Sequence, residues 1–161
     1  MSDGRLAGIA RRDQRGASMQ ETASGRITTE AGLEGDFKGR KYPFRQITVL
    51  AREDWEEALA ELGAPDLPWT ARRANLLVAG VALPRAKGGL VRIGPVLLEV
   101  TGQTYPCARM DEARQGLLKV LGKTWRGGVT CRVLEGGPIA IGDAVDVPLR
   151  PPPERLPRLP G

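Results

Sequence analysis

The chain contains no histidine. That removes the commonest general base, the Ser-His-Asp and Cys-His pairings, and every zinc site built on imidazole. Cysteine is nearly as scarce, with only Cys107 and Cys131. Two cysteines make no disulfide framework of the secreted kind, and without histidine they are too few for a structural zinc site. Aromatic residues make up only 4% of the chain, few for the stacking platforms that single-stranded nucleic acid needs. No apolar run is long enough to cross a bilayer, and Met1 to Gly8 lacks the apolar stretch of a signal peptide. The expectation is a soluble, cytoplasmic protein without membrane contact. Any catalysis must rest on Cys, Asp, Glu, Lys, Tyr or a bound cofactor.

What is present is the composition of one globular domain: 161 residues, 41% hydrophobic and 27% charged. The net charge is +5, and lysine occurs only at Lys38, Lys41, Lys87, Lys119 and Lys123. The remaining basic residues are arginine, whose planar fork grips phosphate and carboxylate in a way lysine cannot. An anionic partner is therefore expected. With no RNA-recognition or zinc-finger signature, a small phosphorylated ligand explains the arginines better than nucleic acid does.

Hydrophobic alternation and β-branched runs predict strands at Gly4 to Arg12, Gly25 to Thr29, Arg45 to Leu50 and Asn75 to Val81. A hairpin is expected from Leu90 to Ile93 and Val96 to Thr101. Two more strands, Gly128 to Leu134 and Ile139 to Val147, are expected around Glu135-Gly136-Gly137-Pro138. Helices are expected at Glu53 to Leu62, closed by Gly63, and at Asp111 to Leu121, where Gly116 is a weak point. The fold class is all-β: a barrel-like, mostly antiparallel domain with two short helices, spanning residues 1–147. Residues 148–161 form a proline-rich tail that favours extended backbone.

Cys107 stands where the strand leading from Pro95 to Thr101 gives way to a helix. Arg109 follows two residues later. Positive charge and a helix start both favour thiolate, the form that ligates metals and attacks disulfides. A small buried hydrophobe is the competing role for any free cysteine, and local context leaves the two balanced. Cys131 lies mid-strand on the face of Val129 and Val133, so burial is expected for it.

Four segments gain meaning together. Gly32-Leu33-Glu34-Gly35-Asp36 is a glycine-punctuated turn. Arg72-Arg73-Ala74-Asn75 precedes an apolar strand. Thr104-Tyr105-Pro106-Cys107 is the thiol loop. Arg126-Gly127-Gly128 leads to Glu135-Gly136-Gly137 and Gly142-Asp143. Their order resembles the MOSC family, named for the C-terminal domain of molybdenum cofactor sulfurase, over roughly Leu6 to Val147. The resemblance implies a compact β domain like the small stand-alone bacterial members. It implies the molybdenum cofactor (molybdopterin), an anionic pterin, with Cys107 as catalytic residue and metal ligand. The cofactor-binding residues would be Arg72, Arg73, Asn75, Thr104, Cys107, Arg109 and Arg126. A redox or sulfur-transfer protein would be the partner. This sequence departs from the small members at Phe37-Lys38-Gly39, where they commonly carry a histidine soon after the Gly-Asp turn, and at Cys131, which is usually a small residue.

The chemistry agrees with this resemblance. Arginines before a strand hold phosphate, and a soft thiolate suits a metal already bound by dithiolene sulfur. The leading expectation is a molybdenum-cofactor- or sulfur-carrying domain, with reduction of N-hydroxylated compounds as its reaction. A metal-free carrier of a Cys107 persulfide and a basic nucleic-acid-binding module stay open as alternatives. Asp36 and Asp143 are expected as turn-forming aspartates ahead of the alternative, carboxylates that support the residues holding the cofactor.

Overall fold

The computed structural model describes residues 3–14, 16–104, 110, 114–122 and 125–149, without the side chains of Lys38 and Arg40. The first half carries strands β1 (Arg5–Arg11), β2 (Gln20–Glu21), β3 (Ser24–Thr28), β4 (Gly32–Leu33), β5 (Ile47–Ala51) and β6 (Leu76–Ala79). The second half carries β7 (Leu90–Ile93), β8 (Val96–Gln103), β9 (Val129–Glu135), β10 (Gly137–Ala140) and β11 (Val145–Asp146). Among the described residues the helices are α1 (Phe37–Lys41), α2 (Arg52–Leu62) and α3 (Leu117–Leu121). A 3-10 turn spans Trp69–Arg72.

Eight strands form one sheet in the order β11-β7-β8-β9-β5-β6-β1-β2, and β10-β3-β4 form a second. The large sheet curls so that its flanks meet. Leu6 N–H donates to Asp143 O at 2.8 Å, and Val145 N–H donates to Gly4 O at 3.0 Å. An isolated bridge pairs Arg5 with Ala144. The expected barrel-like β domain is thus realised, and its pairing is antiparallel throughout except for β5 and β6. These two are parallel because α2 carries the chain back across the sheet between them.

That crossover explains two strands without alternation. Every residue of β5 and of β6 is buried. Val49, Leu76 and Val78 face the barrel interior with Leu6, Ile93 and Cys131. Leu50 and Leu77 face outward into a second apolar cluster with Trp55 and Leu59 of α2 and Leu117 and Leu121 of α3. A strand covered on both faces reads as a continuous apolar run, as Asn75 to Val81 does in the sequence.

Three expectations change in detail. The second helix is shorter: Gly116 takes a left-handed φ of 91° and caps α3 instead of lying inside a helix. Asp111 lies outside the described residues, as do residues 150–161. Ile139 to Val147 is two strands, split by the Gly142-Asp143 turn, where Asp143 Oδ2 accepts from Ala140 N–H at 2.9 Å. That bond bears out the turn-forming role of Asp143. β9 and β10 are also not paired with each other. β9 pairs with β5 and β8, and β10 crosses to β3 in the small sheet.

One buried polar side chain joins the centre of the large sheet. Asn75 Oδ1 accepts from the Thr48 N–H at 3.0 Å and from the Thr48 hydroxyl at 3.1 Å, while its Nδ2 donates to Ala10 O at 3.3 Å. β1, β5 and the start of β6 are thereby tied through one amide. A buried donor left without a partner costs roughly 1–3 kcal/mol, and Asn75→Ala strands the Thr48 N–H. Urea denaturation of Asn75→Ala should show a stability loss of that size, and a variant as stable as wild type would contradict the role.

Candidate functional site

Strand ends from distant parts of the chain meet at one end of the curled sheet. In register, Thr48 of β5 stands beside Thr130 of β9, and Thr130 beside Gly102 of β8. The ends of β1 and of the 3-10 turn lie next to them. Together they line a cavity of about 640 Å³. Six cationic residues face it: Arg12, Lys41, Arg45, Arg72, Arg73 and Lys87. No Asp or Glu is among its described lining residues. Phe37, Tyr42, Phe44 and Trp125 supply aromatic surface. The Arg12 guanidinium sits 5.0 Å over the Phe37 ring, and Tyr42 is flanked by Arg45 at 4.8 Å and Lys41 at 5.6 Å. A cation over a ring face is attracted by the negative face of the ring's quadrupole.

The two arginines singled out in the sequence differ. Arg72 is buried. Its Nε donates to Gly127 O at 2.9 Å, its Nη2 to Thr104 O at 3.0 Å, and its Nη1 approaches Met110 Sδ at 3.9 Å. Arg73 closes the 3-10 turn with a left-handed φ of 66°. Its Nη2 donates to Ala17 O at 3.0 Å, and its buried Nε has no protein partner. The buried hydroxyl of Thr104 is also without a partner. Two orphaned polar atoms on the wall of a cationic cavity are what a bound oxyanion would satisfy.

The Arg126-Gly127-Gly128 motif serves three different contacts. Arg126 reaches α2 and pairs with both Glu57 and Glu61, and these partners raise its pKa through their hydrogen bonds. Gly127 packs so closely that a Cβ would lie 2.7 Å from Thr104 O and 3.2 Å from Arg72 Nη2. Gly128 takes a φ of 95°, and a Cβ there would meet Val49 O at 2.3 Å. Trp125, with a φ of 63°, is thereby presented to the cavity.

Of the expected site residues, Arg72, Arg73 and Thr104 line this cavity together. Asn75 is buried beside it, with its amide directed at β1 and β5, and Arg126 stands against α2. Neither is among the described lining residues. Cys107 and Arg109 lie outside the described residues, but Thr104 and Met110, which bracket them in sequence, both line the cavity. Sequence reasoning missed Arg12, Arg45 and Lys87. The one signal for Arg12 was its place at the end of β1. There its backbone N–H donates to the buried Asp36 carboxylate at 3.1 Å, which ties the Gly-Asp turn to the site.

Fold and cavity together define a barrel-like β domain with a cationic cavity at the strand ends. The sequence pattern of the MOSC domain matches residues 36–146; the chain belongs to the MOSC domain family. Solved structures agree at the level of fold. The YuaD protein from Bacillus subtilis is 18% identical, with a TM-score of 0.73 over 90% of this chain and 96% of that one. YiiM from Geobacillus stearothermophilus is 18% identical, with a TM-score of 0.71 over 91% and 76%. YiiM from Escherichia coli is 20% identical, with a TM-score of 0.68 over 91% and 71%. A search of the curated proteins finds no match.

Cys131 is fully buried in the barrel interior. Burial pushes its thiol pKa far above the ordinary range, and the nearby Glu99 adds to the shift. The folded chain keeps the proton that the unfolded chain releases near pH 8.5. The contribution is therefore fully present below that pH and is lost as pH rises above it. Between pH 8 and pH 10, wild type should lose about 2 kcal/mol more stability than Cys131→Ala. Urea denaturation at the two pH values reads this, and equal losses would contradict the thiol's burial.

Proposed function

We propose that this domain binds the molybdenum cofactor in the cationic cavity and uses it to reduce N-hydroxylated compounds, with Cys107 as the metal's protein ligand. One observation carries the reading: six cationic side chains and no described carboxylate around a cavity of about 640 Å³. Such a cavity suits a compact anion of several charges, and a phosphorylated pterin is one. The residues present fit that group. Arg73 Nε and the Thr104 hydroxyl offer unused hydrogen-bonding capacity for phosphate, and Lys41, Arg45 and Lys87 add charge at the wall. Phe37, Tyr42 and Trp125 offer surface for a planar ring.

When bound, the cofactor would supply the redox and oxygen-atom chemistry that a chain without histidine cannot supply itself. In that reaction an N–OH group becomes N–H with release of water. Two electrons and two protons enter, the electrons from a redox partner protein. Lys41, Lys87 and Tyr42 are the described lining residues suited to proton transfer in this reaction. Cys107 supports the metal-ligand role by its sequence position between Thr104 and Met110, both of which line the cavity. Asn75, which fastens the strands beside the cavity, and Arg126, paired with Glu57 and Glu61, join this proposal as supports of the wall, and Arg109 joins it by its sequence position after Cys107.

The test is elemental analysis of protein purified from a host that makes the cofactor. Molybdenum and pterin phosphate should copurify in equal amounts with wild type, and Cys107→Ser should lose most of the metal while keeping its melting temperature. Wild-type protein that carries no molybdenum, or carries a persulfide on Cys107 in its place, would contradict the proposal.

A further inference from the structure

Gly102 of β8 lines the cavity, and the surrounding protein does not require it to be glycine. Its φ lies outside the left-handed region. Among the described residues a Cβ there would meet only Thr130 Oγ1, at 3.7 Å, an ordinary contact. The nearby glycines differ. A Cβ on Gly127 would lie 2.7 Å from Thr104 O, and one on Gly128 would lie 2.3 Å from Val49 O. Glycine inside a strand weakens it, since it loses much backbone freedom and packs nothing, and it often marks the close approach of a ligand.

The fold aims this bare position at the cavity. Val100 of β8 pairs with Cys131 of β9, and both face the barrel interior. Gly102 pairs with Thr130, so two steps along β8 match one along β9, and Thr101 is the extra residue of a bulge. In a regular strand Val100 and Gly102 would share a face. The bulge turns Gly102 to the other face, beside Thr130 and its partner Thr48, which also line the cavity. Walls rise on both sides. On one, Val100 O accepts from Gly88 N–H at 2.8 Å, next to Lys87, and the Thr101 hydroxyl donates to Phe44 O. On the other, Thr104 O accepts from Arg72 Nη2 at 3.0 Å.

We propose that Gly102 is a specificity-determining residue, bare so that a flat, anionic ligand lies directly on the β8 backbone between the Lys87–Phe44 wall and the Arg72 wall. This placement rests on the reading of the cavity as the cofactor's site and adds where the ligand's ring crosses it. A small anion can sit at either wall without touching Gly102. A ligand that spans both walls passes over it, and a side chain there lifts the ring from the floor. Alanine fills part of that space and valine more. Neither removes a charge, and valine suits a strand better than glycine does.

The experiment compares wild type, Gly102→Ala and Gly102→Val. Pterin that copurifies from a cofactor-producing host is measured by its fluorescence after oxidation. Flavin mononucleotide, a phosphorylated flat ring, and inorganic phosphate are titrated against protein from a host without the cofactor. Both variants should melt at or above the wild-type temperature. Gly102→Val should hold roughly tenfold less of each ring, the scale of an overpacked contact, with Gly102→Ala in between. Phosphate affinity should change less than about threefold, as for a substitution that touches none of its contacts. Variants that take up both rings as wild type does overturn the proposal. A lower melting temperature in Gly102→Ala overturns it by giving the glycine a packing role, and so does phosphate affinity that falls in step with ring binding. If valine prevents folding, Gly102→Ala decides, and wild-type ring binding in it is adverse. Where wild type takes up only one of the two rings, that ring decides. Wild type that binds flavin mononucleotide in a Gly102-dependent way but carries no pterin defeats the cofactor reading alone, and wild type that takes up neither defeats both.

Discussion

Asn75 sits where three strands of the large sheet converge, and its amide bonds to β5 and β1 from the first residue before β6. The Arg72-Arg73 turn ends two residues earlier. A side chain that can both donate and accept is required, because one of its partners is an N–H and the other a carbonyl. With β6 locked to both neighbours, the preceding turn has one place to emerge. Arg72 then falls between Thr104 and Gly127, and Arg73 falls beside the loop at Ala17. The site is a consequence of how the centre of the sheet is fastened.

Charge is sorted with the same economy. Acidic side chains near the site are turned away from the cavity. Asp36 faces the backbone of Arg12, and Glu57 and Glu61 hold Arg126 on the outer layer. Six cationic residues face the cavity, and Arg12, Lys41 and Arg45 lie against ring faces of Phe37 and Tyr42. Like charges gathered at one cavity repel, so on the proposed reading a bound polyanion would relieve that repulsion and stabilise the fold.

Much of the fold was legible because local patterns decide it. The β7–β8 hairpin announced itself through Gly94-Pro95 between β-branched runs, and α2 through Trp55, Leu59 and Leu62 followed by Gly63. What could not be read was pairing between strands far apart in sequence. Nothing near Gly136-Gly137 says that the chain leaves the large sheet there for β3. Nor does any spacing place Arg12, Arg45 and Lys87 in one cavity, since they come from a strand end, a loop and a turn brought together by the curl. The short helix α1 carries no apolar period of its own. The ordered motifs were more informative than composition. Arg72 bonds to Gly127 O and Thr104 O while Asn75, three residues on, bonds to the neighbouring strands, and Arg-Gly-Gly encodes an ion pair, a close approach and a positive φ.

The central claim, that Cys107 completes a molybdenum site in the cationic cavity, is tested most directly by X-ray absorption at the molybdenum edge. Protein isolated from a cofactor-producing host should show one more sulfur neighbour of the metal in wild type than in Cys107→Ser. The same sulfur shell in both proteins, or a metal bound equally well with no thiolate contribution, would contradict the account.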